Sequence, residues 1–187
     1  MIKRLFDFML SLILAILFAP IFSIIWLAIR CSSPGGAIYW SRRIGRNNQI
    51  FLMPKFRSMQ TDTPAVATHL LQTPELFITP IGRFLRKTSM DELPQLWSIL
   101  IGDMSFVGPR PALYNQHDLI QLRTNFNIHL LTPGLTGLAQ VSGRDEIPMD
   151  QKVQFDRLYL ARKSLGFDLL ILWRTFLKVL ARENVSH

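Results

Sequence analysis

A long apolar run opens the chain. No charged residue occurs between Phe8 and Ile29, and an α-helix of that length extends about 33 Å, roughly the thickness of the hydrocarbon core of a bilayer. Pro20 lies in the middle of the run, where a proline removes a backbone hydrogen bond and kinks or breaks a helix. The pattern therefore predicts a membrane-embedded segment with a break at Pro20.

Basic residues flank this run at both ends. Lys3 and Arg4 precede it, Arg30 ends it, and further arginines follow at positions 42, 43 and 46. Because basic flanks tend to remain on the cytoplasmic side, both ends are expected there. A re-entrant helix–break–helix, which enters one leaflet and returns, accounts for the proline and the charges together. The alternatives are a single kinked transmembrane anchor and a cleaved signal peptide, for which no small-residue cleavage site is evident.

A linker and a hairpin are predicted after the apolar run. The sequence Ser-Ser-Pro-Gly-Gly at residues 32–36 separates a membrane segment, 1–36, from a cytoplasmic domain, 37–187. Residues 37–43 and 49–58 flank Gly45–Asn48 and predict an antiparallel hairpin. In an extended strand Lys55 and Arg57 lie on the same face, where both could bind one phosphate group. The alternative is a solvated basic edge strand.

The remaining elements are predicted to be mostly helical. Residues 61–79 are expected to form a loop with a short helix, and Thr79-Pro80 begins a helix that runs to about Lys87. That helix brings Arg86 to an acidic pair just beyond it. The segment 167–182 is amphipathic, with basic residues four apart, and suits either the headgroup region of an anionic membrane or packing against the core. The predicted fold is mainly α with a small antiparallel β hairpin.

Composition restricts the classes of partner. The 187 residues carry a formal net charge of +8, with a pI of about 10.3 and a mean hydropathy of +0.21, which indicates an anionic partner and a membrane element. Nucleic acid would explain the charge but not the apolar run, and no nucleic-acid-binding motif is recognisable. We therefore expect no nucleic-acid partner. The single cysteine, Cys31, excludes an internal disulfide and fits a reducing cytoplasm.

The acidic pair Asp91-Glu92 is the strongest candidate for chemistry. A carboxylate can attack phosphorus as a nucleophile while its neighbour binds a cation or transfers a proton. Arg110 follows between Pro109 and Pro111, and these prolines restrict the backbone of an arginine that can bind phosphate oxygens. The alternatives are a solvated arginine in a structural turn and a capping box, in which Ser89 caps a helix and Glu92 reaches back to it.

The pair is predicted to lie at the amino terminus of a helix. The helix dipole there favours a bound phosphate and is expected to lower the pKa of Asp91, keeping it ionised. An anion that attacks an anionic diphosphate needs charge compensation, for which we expect Mg²⁺ held by Asp91 and the substrate phosphates. The four histidines lack the spacing of metal ligands.

The segment 88–111, TSMDELPQLWSILIGDMSFVGPRP, resembles the core signature of the bacterial sugar transferase family, the monotopic phosphoglycosyl transferases. Further stretches that match are KFRSM at 55–59, TPGLTGLAQVSGR at 132–144, and the apolar amino-terminal segment. The turn within 132–144 has glycines that permit close backbone approach to a ligand. Gln140 and Arg144 follow it as candidate nucleotide contacts.

The resemblance implies a specific activity and location. The enzyme would transfer a sugar 1-phosphate from a UDP-sugar to undecaprenyl phosphate, the first membrane step in making a polysaccharide or glycoprotein glycan. Asp91 would be the covalent nucleophile and Glu92 would assist by positioning or proton transfer. The protein would be monotopic, on the cytoplasmic face of a bacterial inner membrane and in contact with anionic lipids.

A second hypothesis is a basic scaffold on the membrane surface without chemistry, whose carboxylates only cap a helix. No single residue identifies the sugar, and the pattern indicates no oligomeric state.

Overall fold

A computed structural model describes residues 2–63, 73–143 and 147–180. In chain order its helices and strands are α1 Ile2–Ser32, β1 Ile38–Ile44, β2 Ile50–Phe56, α2 Pro74–Phe77, α3 Pro80–Thr88, α4 Gln95–Ile101, β3 Ser105–Val107, α5 His117–Asn125, β4 Gly134–Thr136, α6 Leu138–Gly143, α7 Met149–Arg162 and α8 Leu165–Leu180. Short 3₁₀ helices lie at Arg46–Asn48, Met90–Glu92 and Ile128–Leu130. The prediction of a mainly helical chain with a small antiparallel hairpin is confirmed.

Helix α1 is continuous through Pro20. It contains 31 residues and is long and apolar enough to cross a membrane, judged by length and composition. The predicted break between two helices is therefore wrong in its secondary structure. The reason is that a proline removes only one N–H from the helical ladder, and the turns on both sides keep theirs. The Ser23 hydroxyl donates to the Ala19 carbonyl at 3.0 Å, a contact that often bends helices, so a re-entrant path would need a bend within α1.

Both ends of α1 pack against the rest of the chain. Leu10 and Leu14 contact a core cluster that includes Ile99, Phe106 and Ile171. The other end contributes buried residues to a second cluster, which comprises Ile25, Ile29, Ala37, Phe56 and Leu85. The connection after Ser32 lies where the linker was predicted. Because α1 supplies residues to both clusters, it packs with the described residues of β2, α3, α4, β3 and α8.

The amino-terminal end of α1 is also held by polar contacts. Lys3 forms an ion pair with Asp168 at the start of α8 and donates to the Val107 carbonyl at 3.1 Å. The buried Tyr159 hydroxyl donates to Asp168 at 2.7 Å, and burial raises the pKa of Tyr159 well above its usual range. Asp7, also buried, accepts from the Phe106 backbone N–H at 3.1 Å. Four distant parts of the chain, α1, β3, α7 and α8, thus meet at one network.

The two strand pairs differ in how readily the sequence reveals them. The β1–β2 hairpin, which pairs Ile38 with Phe56 and Ile44 with Ile50, was predicted. The parallel pair β3–β4 was not, because strands of three residues are too short to display a two-residue period. Their approach requires small residues: a Cβ on Gly134 would lie 2.1 Å from the Gly108 nitrogen.

The predicted helix after Thr79 is confirmed. Pro80 occupies its first turn, and the Thr79 side chain accepts from the Gly82 N–H at 3.0 Å. Helix α8 packs against the core on one side, which was one of the two alternatives for its segment; its contact with a membrane stays a prediction. Asp168 and Ile171 are buried against the core, whereas an apolar surface on the other side remains exposed, formed by Leu169, Leu170, Trp173, Phe176, Leu177 and Val179.

Replacing Asp168 by asparagine should destabilise the protein. The change would leave the Lys3 ammonium and the Tyr159 hydroxyl without their carboxylate, at a cost of about 1–3 kcal/mol in the free energy of unfolding. Thermal or denaturant unfolding in detergent would measure it. Asp150→Asn is the matched control, because Asp150 lies in the first turn of α7 as Asp168 does in α8, yet is exposed. Equal effects of both substitutions would contradict a specific role for the network.

Candidate active site

The carboxylate pair lies in a tight turn between α3 and α4. Ser89 ends α3 in the left-handed conformation, with φ of 56°, and its N–H donates to the carbonyls of Arg86 and Leu85. The 3₁₀ helix Met90–Glu92 follows directly. Ser89 therefore terminates one helix rather than capping the next, and its side chain makes no capping hydrogen bond. The capping box is excluded, and the carboxylate of Glu92 is available for other partners.

Glu92 binds two cations from distant segments. Its Oε1 atom lies 2.8 Å from Lys55 Nζ on β2 and 3.0 Å from Arg110 Nη2. All three side chains are mostly shielded from solvent, with Glu92 20% and Lys55 17% exposed. Burial alone would raise the pKa of Glu92, but attraction and hydrogen bonding from Lys55 and Arg110 outweigh it and hold that pKa well below its usual range. Glu92 is therefore a stable anion.

Asp91 has the opposite electrostatic character. It is buried, and Lys55 Nζ lies 4.0 Å from its Oδ2 atom, longer than a normal hydrogen bond. Burial raises the pKa of Asp91, and the negative charge of Glu92 adds to that, whereas Lys55, Arg86 and Arg110 pull it down. The predicted lowering of this pKa is wrong, because loss of solvation exceeds the stabilisation by nearby positive charge. Two adjacent carboxylates thus have pKa values shifted in opposite directions.

Arg86 and Arg110 bring further positive charge to Asp91. Both lower its pKa, so Arg86 on α3 lies at the carboxylates as the sequence predicted. Burial lowers the pKa of Arg86, and Asp91 opposes that shift. The backbone around Arg110 is held through its carbonyls: Pro109 accepts from the Gly134 N–H and Ala112 from the Ile44 N–H, each at 2.9 Å. The structure therefore brings Lys55, Arg86 and Arg110 together around Asp91 and Glu92.

Arg57 binds a different part of the chain. Its guanidinium donates to the carbonyls of Pro34 and Ser33 and to the Ser33 hydroxyl, the last at 2.8 Å. It follows β2 directly and anchors the linker after α1. The Nη1 and Nη2 donors of Arg57 are thus used by the linker, whereas its buried Nε has no hydrogen-bond partner among the described residues. The expectation that Lys55 and Arg57 bind one phosphate stays a prediction.

The remaining predicted ligands are Gln140 and Arg144. Both side-chain amide atoms of Gln140 are buried and have no hydrogen-bond partner within the described part of the chain, and a Cβ on Gly137 would lie 2.7 Å from its Oε1 atom. Its role toward a nucleotide stays a prediction. Arg144 lies outside the described residues, and its role stays a prediction as well.

Sequence reasoning missed two buried polar residues that follow the acidic pair. Gln95 is 1% and Ser98 0% exposed, and Gln95 Nε2 and Ser98 Oγ lack a hydrogen-bond partner among the residues that the structure describes. The available signal was weak, since both are polar residues in an otherwise apolar helix, QLWSILI.

The carboxylates of the site could bind a magnesium ion only together with oxygen atoms of a substrate. Within residues 2–63, 73–143 and 147–180, no group of three His, Cys, Asp or Glu side chains could hold a metal ion. Mg²⁺ is commonly bound by one or two carboxylates, with phosphate oxygens and water completing its shell. Asp91, the carboxylate not in close contact with Lys55, fits such a site once phosphates are bound.

Comparison with known proteins identifies the family. A family model described as Bacterial sugar transferase matches residues 1–182. The undecaprenyl-phosphate galactose phosphotransferase of Salmonella typhimurium is 37% identical over 98% of this chain and 41% of its own length. The exopolysaccharide production protein ExoY of Rhizobium meliloti is 38% identical, over 94% of this chain and 84% of that protein.

The UDP-glucose:undecaprenyl-phosphate glucose-1-phosphate transferase of Escherichia coli is 37% identical, over 95% of this chain and 40% of its own. The chain thus spans less than half the length of two of these three relatives. Since the family model covers nearly the whole sequence, including every element that builds the carboxylate cluster, the chain belongs to the bacterial sugar transferase family.

Proposed function

We propose that this chain transfers a sugar 1-phosphate from a UDP-sugar to undecaprenyl phosphate through a covalent aspartyl-phosphosugar intermediate. The observation that carries the proposal is the carboxylate pair with its opposed pKa shifts, surrounded by three cations. Neighbouring carboxyl groups whose pKa values are driven apart are typical of divided roles in catalysis. The names of the relatives from Salmonella typhimurium and Escherichia coli support the choice of acceptor.

Asp91 is the proposed nucleophile. Its Oδ atom attacks the β-phosphorus of the UDP-sugar, the bond from that phosphorus to the oxygen bridging the α-phosphate breaks, and UMP leaves with the electron pair. An oxygen of undecaprenyl phosphate then attacks the aspartyl-bound phosphorus. The bond to Asp91 breaks, which releases the undecaprenyl diphosphate sugar and regenerates the carboxylate. Partial burial favours the attack, because an incompletely solvated carboxylate is a stronger nucleophile.

Glu92 is proposed to act by positioning. Its lowered pKa makes it a poor proton donor near neutral pH, which favours positioning over proton transfer between the two roles implied by the family. By binding Lys55 and Arg110, it holds two cations where the diphosphate must lie. A phosphate group competes well for such cations, since Arg offers a fork that matches two of its oxygens.

Magnesium is proposed as the cofactor, held by Asp91 together with substrate phosphates. When bound, it would neutralise phosphate charge that would otherwise repel the attacking carboxylate.

The proposed location is the cytoplasmic face of a bacterial inner membrane, with α1 embedded from one side. Both ends of α1 contact the body that carries the site. The outer side of α1 exposes many large apolar residues, among them Leu5, Ile13, Ile16, Leu17, Ile24 and Leu27. A helix held at both ends by one domain is more compatible with a monotopic arrangement than with a perpendicular span.

Helix α4, which follows the turn with the carboxylates, contacts α1 and exposes further apolar residues. Its Trp97 and Ile101 are 56% and 52% exposed. Exposed tryptophan is typical of the membrane interface. The reacting carboxylate is thus near the depth at which the phosphate of a lipid acceptor would lie. The scaffold hypothesis is less favoured, since it took the carboxylates to cap a helix and Ser89 makes no side-chain capping hydrogen bond.

Asp91→Asn should abolish the reaction. The amide keeps the shape but not the nucleophilic charge, so UMP release should fall by at least about 10³-fold. Purified protein in nanodiscs, supplied with undecaprenyl phosphate and a panel of UDP-sugars, would provide the measurement. Asp103→Asn is the control, because Asp103 is an exposed aspartate soon after α4. Failure of the wild type to release UMP from any UDP-sugar would support the scaffold instead.

Removal of divalent cations should stop UMP release, and added Mg²⁺ should restore it, because the carboxylate and the diphosphate repel each other. Unfolding of the treated protein would be followed in parallel to exclude loss of structure. Full activity in excess chelator would eliminate the role of the cation.

The acidic limb of the pH–rate profile should lie at a higher pH than an ordinary aspartate would give. Burial raises the pKa of Asp91, so the reactive anion is lost earlier as the pH falls. Lys55 pulls that pKa down, and Lys55→Gln should therefore move the limb still higher in kcat/KM. Arg42→Gln on the exposed side of β1 is the control. A limb well below the ordinary aspartate value would point to Glu92 instead.

Both ends of α1 should be accessible only from the cytoplasm. Ile2 and Cys31 are exposed, so Ile2→Cys in a Cys31→Ser background and the native Cys31 form a matched pair for labelling in cells. Pro20→Leu should remove any bend at the proline, favour a helix that spans the membrane, and carry position 2 to the outer side. Outer-side labelling of position 2 with Pro20 intact would show a single-span anchor.

A further inference from the structure

The residues on either side of Arg110 cannot donate backbone hydrogen bonds. Pro109 and Pro111 flank it, and proline has no backbone donor. The segment is held instead by hydrogen bonds to four successive carbonyls. Two of these come from the backbone N–H groups of Gly134 and Ile44. The other two come from arginine side chains.

The arginine that binds the carbonyl of Arg110 itself is Arg123 on α5. Its Nη1 atom donates to that carbonyl at 2.8 Å, while Arg43 Nη1 on β1 donates to the Pro111 carbonyl at 3.2 Å. Arg123 is only 7% exposed. Because Arg123 is buried, water cannot readily replace this hydrogen bond, as it could at the surface.

Arg123 is oriented by a buried carboxylate. Its Nε and Nη2 atoms lie 3.0 and 2.7 Å from Asp156 Oδ2 on α7, and Asp156 is 2% exposed. With two donors on one carboxylate oxygen, the planar guanidinium has its third donor directed at Arg110. A buried ion pair of this kind contributes little net stability compared with an apolar replacement, so its main physical effect is to direct that donor.

We propose that Arg123 and Asp156 are positioning residues for Arg110, which orient its guanidinium toward the diphosphate of the bound nucleotide. The inference rests on the proposed function, because it takes Arg110 to bind substrate phosphate. Asp156 neutralises Arg123, so the pair sets the position of Arg110 without adding charge to the site. A small displacement at this carbonyl is transmitted to the guanidinium, and a bidentate contact with phosphate tolerates little misplacement.

The test is a double-mutant cycle on the binding of UDP, measured by calorimetry with wild-type protein in nanodiscs. Arg110→Ala should weaken UDP binding. Arg123→Lys and Asp156→Asn should each weaken it about tenfold, as expected for a lost or displaced hydrogen bond to a charged group. In the Arg110→Ala background, Arg123→Lys should cause no further loss, because nothing remains to be oriented.

Arg157→Lys is the matched control. Arg157 follows Asp156 on α7, is exposed, and lies 4.2 Å over the Phe126 ring at the end of α5. It changes the contact between the same two helices without touching Arg110, and should leave UDP binding unchanged. Unfolding midpoints are measured for every variant. If Asp156→Asn does not fold, the cycle with Arg123→Lys, which keeps the charge, decides the question.

The outcomes separate the inference from the proposed function. If Arg110→Ala weakens binding but Arg123→Lys does not, or if Arg123→Lys costs the same in both backgrounds, the positioning role is overturned and the proposed function stands. If wild-type protein binds no UDP, or Arg110→Ala binds it normally, the phosphate-binding role of Arg110 fails and the positioning role fails with it. A loss on Arg123→Lys that disappears in the Arg110→Ala background supports the inference.

Discussion

The site depends on one carboxylate that binds two cations. Glu92 joins β2 through Lys55 and the segment after β3 through Arg110, and so brings three distant parts of the chain to one point. Glu92 also keeps Lys55 from forming a close ion pair with Asp91. Lys55 lies 2.8 Å from Glu92 but 4.0 Å from Asp91, so its close ion pair is with Glu92 and not with the proposed nucleophile. The opposed pKa shifts follow from this difference in contacts: both carboxylates are largely buried, but only Glu92 has close cation contacts that outweigh the effect of burial on its pKa.

The same packing places the site near the proposed lipid surface. Helix α1 contributes to both core clusters and contacts α8 through Lys3 and Asp168, so its apolar outer side and the carboxylates keep a fixed relation. Arg57 also fixes the position of α1, because it binds the linker after α1 to the end of β2. A domain that reacts with a membrane-bound acceptor needs such a fixed relation, since the acceptor phosphate reaches only a limited distance from the bilayer.

Rigidity around Arg110 has a different origin. Prolines on both sides reduce the number of backbone conformations, but they also remove donors, so the segment must accept hydrogen bonds from elsewhere. Those donors come from β1, β4 and α5. The sequence GPRP therefore indicates a restricted arginine, whereas its orientation is set by segments that are remote in the chain.

The sequence by itself determined the features that depend on near neighbours. The apolar run, the cap at Thr79, the hairpin around Gly45–Asn48 and the acidic pair all follow from short-range sterics, hydrogen bonding and periodicity. Tertiary structure decided the rest. It directed Arg57 to the linker, paired β3 with β4 and raised the pKa of Asp91. Each of these depends on burial or on partners remote in the chain, and neither burial nor a remote partner can be read from a local pattern of residues.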